Sequence, residues 1–220
     1  MKKTKFTRED VVLAAVSVID SEGISQLTAR KVAVEMGAST APVYSNFKNM
    51  DDLAVAAKKA TVEIMMALLE KPGEQLQFIN IGEGVLQFAK NHPYLYDALF
   101  LQPTTSYDPG PQIMDRILEK MATIPELKTL QPVERLILLK KMAIFTHGMA
   151  SEICSGFLNQ YQWRELLLLL EEVGEALVAA SHRSLPRKEQ DNDLLGTFWS
   201  KCHNSPKFDD CLETEGDSDD

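Results

Sequence analysis

"LTARKVAVEMGASTAPVYSNF", residues 27–47, is the stretch that decides the fold of this 220-residue chain. Thr28 is placed to cap a short helix running through Met36, and Gly37 can take the left-handed backbone that ends it. Ala33 is small where two helices have to cross closely. Ser39 or Thr40 then caps another short helix, in which Pro42 is tolerated in the first turn and Val43 and Phe47, four apart, share the buried face. Ala41 precedes a proline and is biased away from the helical region, which moves the start a residue or two beyond Ser39. Short helix, glycine-containing turn, short helix is the helix-turn-helix arrangement.

The flanks extend the same pattern. Upstream, Thr7 reads as an N-cap with Glu9 and Asp10 in the first turn, and Val11, Val12, Ala15, Val16 and Ile19 follow at helical spacing before Gly23. Downstream, Asn49 caps a longer helix to about Glu70, with Asp51 and Asp52 at its positive end and "KPG" breaking it. Beyond Pro72 the spacing predicts helices over roughly 75–91, 93–101, 110–121, 132–158 and 162–183. The expected fold is all-α with about nine helices: a three-helix unit over 1–55, its fourth helix bridging to about 70, and a helical effector-binding and dimerisation domain over 56–185. The last two long helices are apolar over more than one core-facing stripe of about 100°. That surplus fits subunit packing, and burial inside a single domain would give the same pattern. Residues 205–220 hold seven acids and one lysine, so 186–220 reads as a disordered acidic tail, with Leu194 to Trp199 a segment able to dock on the body.

Charge divides the chain. Residues 1–59 carry nine Lys/Arg and seven Asp/Glu, whereas the remainder carries 14 and 25 within an overall net of −9. Only the first sixty residues can comfortably approach a phosphate backbone. The longest uncharged run, 36–47, is far short of the roughly 20 residues of a membrane-spanning helix, so no membrane partner is expected. "MKKTKFTRED" is followed by acid and by an apolar run without a small-residue cleavage site, and is not expected to be a secretory signal. Three cysteines, Cys154, Cys202 and Cys211, are an odd number that favours a reducing compartment, and the expected location is the cytoplasm.

A helix of about eight residues is roughly 12 Å long and fits the DNA major groove, with its N-terminal residues nearest the base edges. Thr40, Ala41, Pro42, Ser45 and Asn46 then face outward, and Tyr44 can reach a phosphate through its hydroxyl. Spacing alone fits a generic three-helix packing with a polar turn equally well.

Residues 6–53, from "FTREDVV" to "NFKNMDDL", resemble the N-terminal DNA-binding domain of TetR-family transcriptional regulators through an ordered string of landmarks. These are the early helix ending near Gly23, "LTARKVAVEMG" as the first helix of the motif, "AS" in the turn, and "VYSNFKNMDDL" as recognition helix and start of helix four. The all-helical remainder resembles that family in architecture only. The resemblance implies that Thr28 and Tyr44 contact phosphates, that Ser39, Thr40, Ala41, Pro42 and Ser45 lie at or near base edges, and that Lys48 supports the backbone grip. Two positions depart from the family: Asn46 stands where it often has histidine, and Met50 where it often has lysine. Charge then has to come from Arg30, Lys31, Lys48 and the N-terminal Lys2, Lys3 and Lys5. Without an arginine in 36–47, contacted bases are expected to be richer in A·T than in G·C.

Other constellations are bland. Gly82 and Gly84 form a GxG without a preceding strand or a third glycine, His92 ends a helix, and His147 and Cys154 share a helix face as ordinary core residues. Cys202, His203 and Cys211 lack a fourth matched ligand, so no metal and no cofactor are expected, and no nucleophile signature points to an enzyme. The family resemblance implies an effector pocket in the later helices, for which Phe78, Ile81, Val85, Phe88, Leu99, Phe100, Met114, Phe145, His147 and Met149 are candidates that ordinary core packing explains equally well.

The expected function is a homodimeric DNA-binding repressor, paired through 132–158 and 162–183 and released by a small apolar effector. Two alternatives stand beside it: a helical dimer of the same fold that has lost or weakened DNA binding, and an enzyme on a helical scaffold.

Overall fold

The computed structural model describes residues 6–69, 77–102 and 107–182. Among these it contains nine α-helices and no strand: α1 (Arg8–Glu22), α2 (Ala29–Glu35), α3 (Ala41–Asn46), α4 (Met50–Leu69), α5 (Gln77–Asn91), α6 (Pro93–Tyr96), α7 (Gly110–Met121), α8 (Pro132–Cys154) and α9 (Trp163–His182). No described helix is long and apolar enough to cross a membrane. The N-terminal lysines, the segment Leu194 to Trp199, Cys202, His203, Cys211 and the rest of the acidic tail lie outside the described residues.

Local rules set the early helices. Thr7 and Asp10 close a reciprocal capping box, the Thr7 N–H donating to Asp10 Oδ2 at 2.8 Å and the Asp10 N–H to Thr7 Oγ1 at 3.1 Å. Thr28 Oγ1 accepts from the Lys31 N–H at 3.3 Å, and Asn49 Oδ1 from the Asp52 N–H at 2.8 Å. Gly23 (φ 88°) and Gly37 (φ 61°) take the positive φ that ends α1 and the turn after α2. Thr40 is the residue before α3, but its hydroxyl makes no capping bond, so Pro42 and the Thr40 carbonyl start that helix unaided.

Two expected helices change shape. The segment 93–101 splits into α6 and a π-helical turn, Asp97–Leu101, closed by the Gln102 N–H on the Asp97 carbonyl at 3.2 Å. The helix expected over 132–158 stops at Cys154, because left-handed Gly156 (φ 80°) breaks it before a short 3₁₀ turn at Phe157–Gln160.

The core runs without a break from α1 to α9, with α5 at its centre. The GxG of the sequence is a packing device there. A Cβ on Gly84 would lie 3.1 Å from Leu69 Cα in α4, and one on Gly82 3.2 Å from Leu170 Cδ1 in α9. Gly174 in α9 repeats this against Ile79, 3.1 Å away. Glycine on both sides thus lets α4 and α9 come close to α5.

Polar contacts tie α1 to α6 and α4 to α7. His92 Nδ1 lies 2.8 Å from Asp20 Oδ2, and the Tyr94 ring sits 3.6 Å from the Cβ position of Gly23, so α1 ends against α6. On α4, Glu63 accepts from Arg116 Nη1 of α7 at 2.8 and 2.9 Å, and the Leu69 carbonyl from Lys120 Nζ at 2.6 Å.

Candidate nucleic-acid interface

The second short helix is held from beneath and open above. Val43 and Phe47 are buried against α1 and α2, so Ala41, Tyr44 and Ser45 must point outward; Tyr44 is 63% exposed. Two side chains are spent on the helix itself. Ser45 Oγ donates to the Pro42 carbonyl at 3.0 Å and Asn46 Nδ2 to the same oxygen at 2.9 Å. Both bonds satisfy a carbonyl in a helix too short to satisfy its own ends. The outer face therefore offers a methyl group, a phenol and the carbonyl side of one amide, with Ser39 and Lys48 exposed at its two ends.

The cations differ in how committed they are. Lys31 Nζ is held 2.7 Å from Glu22 Oε2 and 2.7 Å from Gln26 Oε1, so its charge is largely answered within the chain. Lys58 is half-buried, and desolvation lowers its pKa against the opposing pull of Asp108 and Asp97. Lys59 lies over the Tyr107 ring at 5.4 Å. Arg30 and Lys48 are exposed with no ion pair among the described residues. Arg8 is exposed too, and its guanidinium sits 4.5 Å over the ring of Phe47. Met50, in place of a lysine, packs half-buried against the core.

This geometry has close counterparts in solved proteins. A TetR-family transcriptional regulator from Streptomyces coelicolor superposes with a TM-score of 0.62 at 15% identity, over 90% of this chain and 97% of that one. A TetR variant from Acinetobacter baumannii AYE in complex with minocycline gives 0.57 at 14% identity, over 81% and 98%. This chain has the TetR-family fold. By sequence, no family model matches. The HTH-type transcriptional repressor DrrR1 of Streptomyces coeruleorubidus is 24% identical over 190 residues, 78% of this chain and 65% of that protein. The chain spans between 51% and 65% of the length of the curated relatives it matches. These relatives and structures are transcriptional regulators by name, not enzymes.

Within the TetR-family fold, the structure brings Thr28, Arg30, Ser39, Thr40, Ala41, Pro42, Tyr44, Ser45, Asn46 and Lys48 into one short stretch of α2, turn and α3, each exposed or half-buried. In it, one Asn46 amide N–H and the Ser45 hydroxyl proton are engaged on the Pro42 carbonyl. The structure also shows that Lys31 is not a free cation. Arg8 escaped the sequence reading because nothing local links it to Phe47.

The effector candidates scatter. Phe78, Ile81, Phe88, Leu99 and Met149 are buried core, while Val85, Phe100, Met114 and Phe145 are half-buried. His147 is exposed over much of its surface, yet its inner edge faces the core, where Nδ1 meets the Tyr96 hydroxyl at 2.8 Å. Tyr96 was missed by the sequence reading. Its ring lies 4.8 Å from Phe100 and 5.9 Å from His147. Burial, reinforced by Cys154, raises the Tyr96 pKa, and desolvation lowers that of His147. The tyrosine stays protonated, and its hydroxyl shares one hydrogen bond with His147 Nδ1. Burial also pushes the Cys154 thiol up to about 11, with Asp97 adding to it, so that sulfur is a packing atom and no nucleophile.

Proposed function

We propose that the chain is a homodimeric DNA-binding transcriptional regulator, a repressor, that presents α3 of each subunit to successive major grooves of a near-palindromic operator. The observation that carries this is the open face of α3: Ala41 and Tyr44 stand out over buried Val43 and Phe47, with Arg30 and Lys48 free beside them. Residues 1–55 would bind DNA, α4 would bridge to the body, and residues 56–185 would dimerise and take an effector. Two recognition helices about one helical turn, roughly 34 Å, apart fit such a site.

Support for a second copy comes from α8 and α9. Ile144 is 63% exposed, Leu168 54% and Leu169 46%, a surplus of apolar surface on two consecutive helices. Gly148, one turn beyond Ile144, has no atom within 4 Å of its Cβ position, so no contact among the described residues calls for a glycine in mid-helix there. A small-molecule effector is supported by the aromatic group of Tyr96, Phe100 and His147, whose rings make the expected ligand mainly apolar, and by the small molecule, minocycline, in complex with the Acinetobacter protein of the same fold. It would act only through different affinities for two spacings of the heads.

Selection of bound fragments from random DNA tests the reading. Recovery of a palindrome richer in A·T than in G·C at contacted bases is expected, with affinity falling steeply in salt and weakened at all sequences by Tyr44→Ala or Lys48→Ala. The second reading, a dimer of this fold without DNA binding, draws on Met50 and the acidic body. A folded dimer that binds no fragment at low salt would establish it and sink the first.

A further inference from the structure

We infer that Arg8 is a backbone-phosphate contact of the DNA-binding unit, seated for that task by the ring of Phe47. The inference rests on the DNA-binding reading and names a residue that reading had not included.

Arg8 is the first residue of α1 and is exposed, and its guanidinium carbon lies 4.5 Å from the centre of the Phe47 ring. Phe47 itself is buried and fixed, because its N–H donates to the Val43 carbonyl at 3.0 Å and its side chain belongs to the core. A guanidinium over an aromatic face gives that face to the ring and keeps the N–H donors at its edge. Phosphate oxygens are well matched to such an edge, which can donate two parallel bonds.

Among the described residues, nothing uses those donors. No carboxylate pairs with Arg8 among the described residues, in contrast to Lys31, which Glu22 and Gln26 hold. Of the two acids in its own turn, Glu9 and Asp10, neither forms an ion pair with it, and Asp10 Oδ2 accepts from the Thr7 N–H at 2.8 Å. Nor does the position serve α1: a cation in the first turn faces the positive end of the helix dipole. The stability of the helix therefore leaves the residue unexplained, and it is seated over Phe47, the residue that ends α3 and directly precedes exposed Lys48. Arg8 and Lys48 then flank one end of the recognition helix, and Arg30 lies near its approach from α2. The charge that Met50 does not supply comes from Arg8.

The test compares the full chain with Arg8→Gln and Arg8→Lys on a mixed-sequence duplex of about 40 base pairs and on the selected operator, across a salt series. For Arg8→Gln, the slope of log affinity against log salt becomes shallower by about 0.9 per subunit bound, and affinity falls about eightfold per subunit at about 0.1 M salt, by the same factor on both duplexes. Arg8→Lys keeps the wild-type slope. Thermal unfolding without DNA separates a structural role: a lowered melting temperature with an unchanged slope would overturn the inference, as would wild-type slope and affinity in Arg8→Gln. If the wild-type chain binds neither duplex at low salt, the DNA-binding reading itself fails and takes the inference with it.

Discussion

The first three helices and the last two solve opposite problems with their outer surfaces. Around α3 the large apolar residues Val43 and Phe47 are turned in, and the exposed groups are a methyl, a phenol, small polar side chains and cations without ion partners among the described residues. Along α8 and α9, exposed Ile144, Leu168, Leu169 and an open glycine stand among charged residues such as Lys141, Glu152, Arg164 and Glu172. A surface with free cations suits a polyanion, and a surface with free hydrocarbon suits another protein face, so the two ends of one chain advertise different partners.

The most forceful way to break this contrast is to charge the apolar face. Ile144→Glu with Leu168→Glu should convert a dimer to monomers in sedimentation while leaving the helical content intact. Operator affinity should then fall at least about 100-fold, because two linked half-site contacts become one. A double variant that stays dimeric would show that the exposed face is not the seam.

Next in size is the packing at α5. Gly84→Ala drives a methyl group into the Leu69 backbone and should cost about 1–3 kcal/mol in denaturant unfolding. Gly82→Ala meets only the ends of the Leu170 and Met142 side chains and should cost less. Equal effects would mean that the α4–α5 approach is looser than 3.1 Å implies.

Smaller still is the pair of threonines in the DNA-binding unit. Thr28→Ala removes a bonded cap and should cost about 1 kcal/mol, whereas Thr40→Ala, whose hydroxyl caps nothing, should stay within about 0.5 kcal/mol. If Thr40→Ala costs as much as Thr28→Ala in the absence of DNA, the start of α3 is misread.

The mildest effect concerns His147 in the body. Its pKa is lowered on folding, so the unfolded chain binds more protons in that range: the contribution is complete above the unfolded value of about 6.5 and is lost as pH falls below it. Melting temperature should drop slightly between about pH 7.5 and pH 5.5, and His147→Gln should flatten that drop. Identical pH profiles for both proteins would rule out a desolvated inner edge at His147.

Legibility followed the range of the forces. Thr7, Thr28 and Asn49 bond backbone three residues away, and Gly23 and Gly37 set their own φ, so these caps and stops could be read from neighbouring residues. The absent cap at Thr40 and the π turn after Tyr96 could not, and the early end of α8 is signalled only by Gly156, whose left-handed φ of 80° breaks the helix. The candidate stretch was readable, while the bonds inside it were not: Ser45 and Asn46 bond the Pro42 carbonyl, and Lys31 is held by Glu22.

By itself, then, the sequence determined an all-helical chain, the helix-turn-helix order over residues 27–47 and the division of charge between its ends. Only the tertiary structure decided which cations are free, that Arg8 rests on Phe47, that Tyr96 meets His147 from 51 residues away, and that Ile144 and Leu168 face outward. Helix caps and left-handed turns are settled within a few residues of chain. Burial and pairing depend on which distant elements arrive at the same place, and no local pattern encodes that meeting.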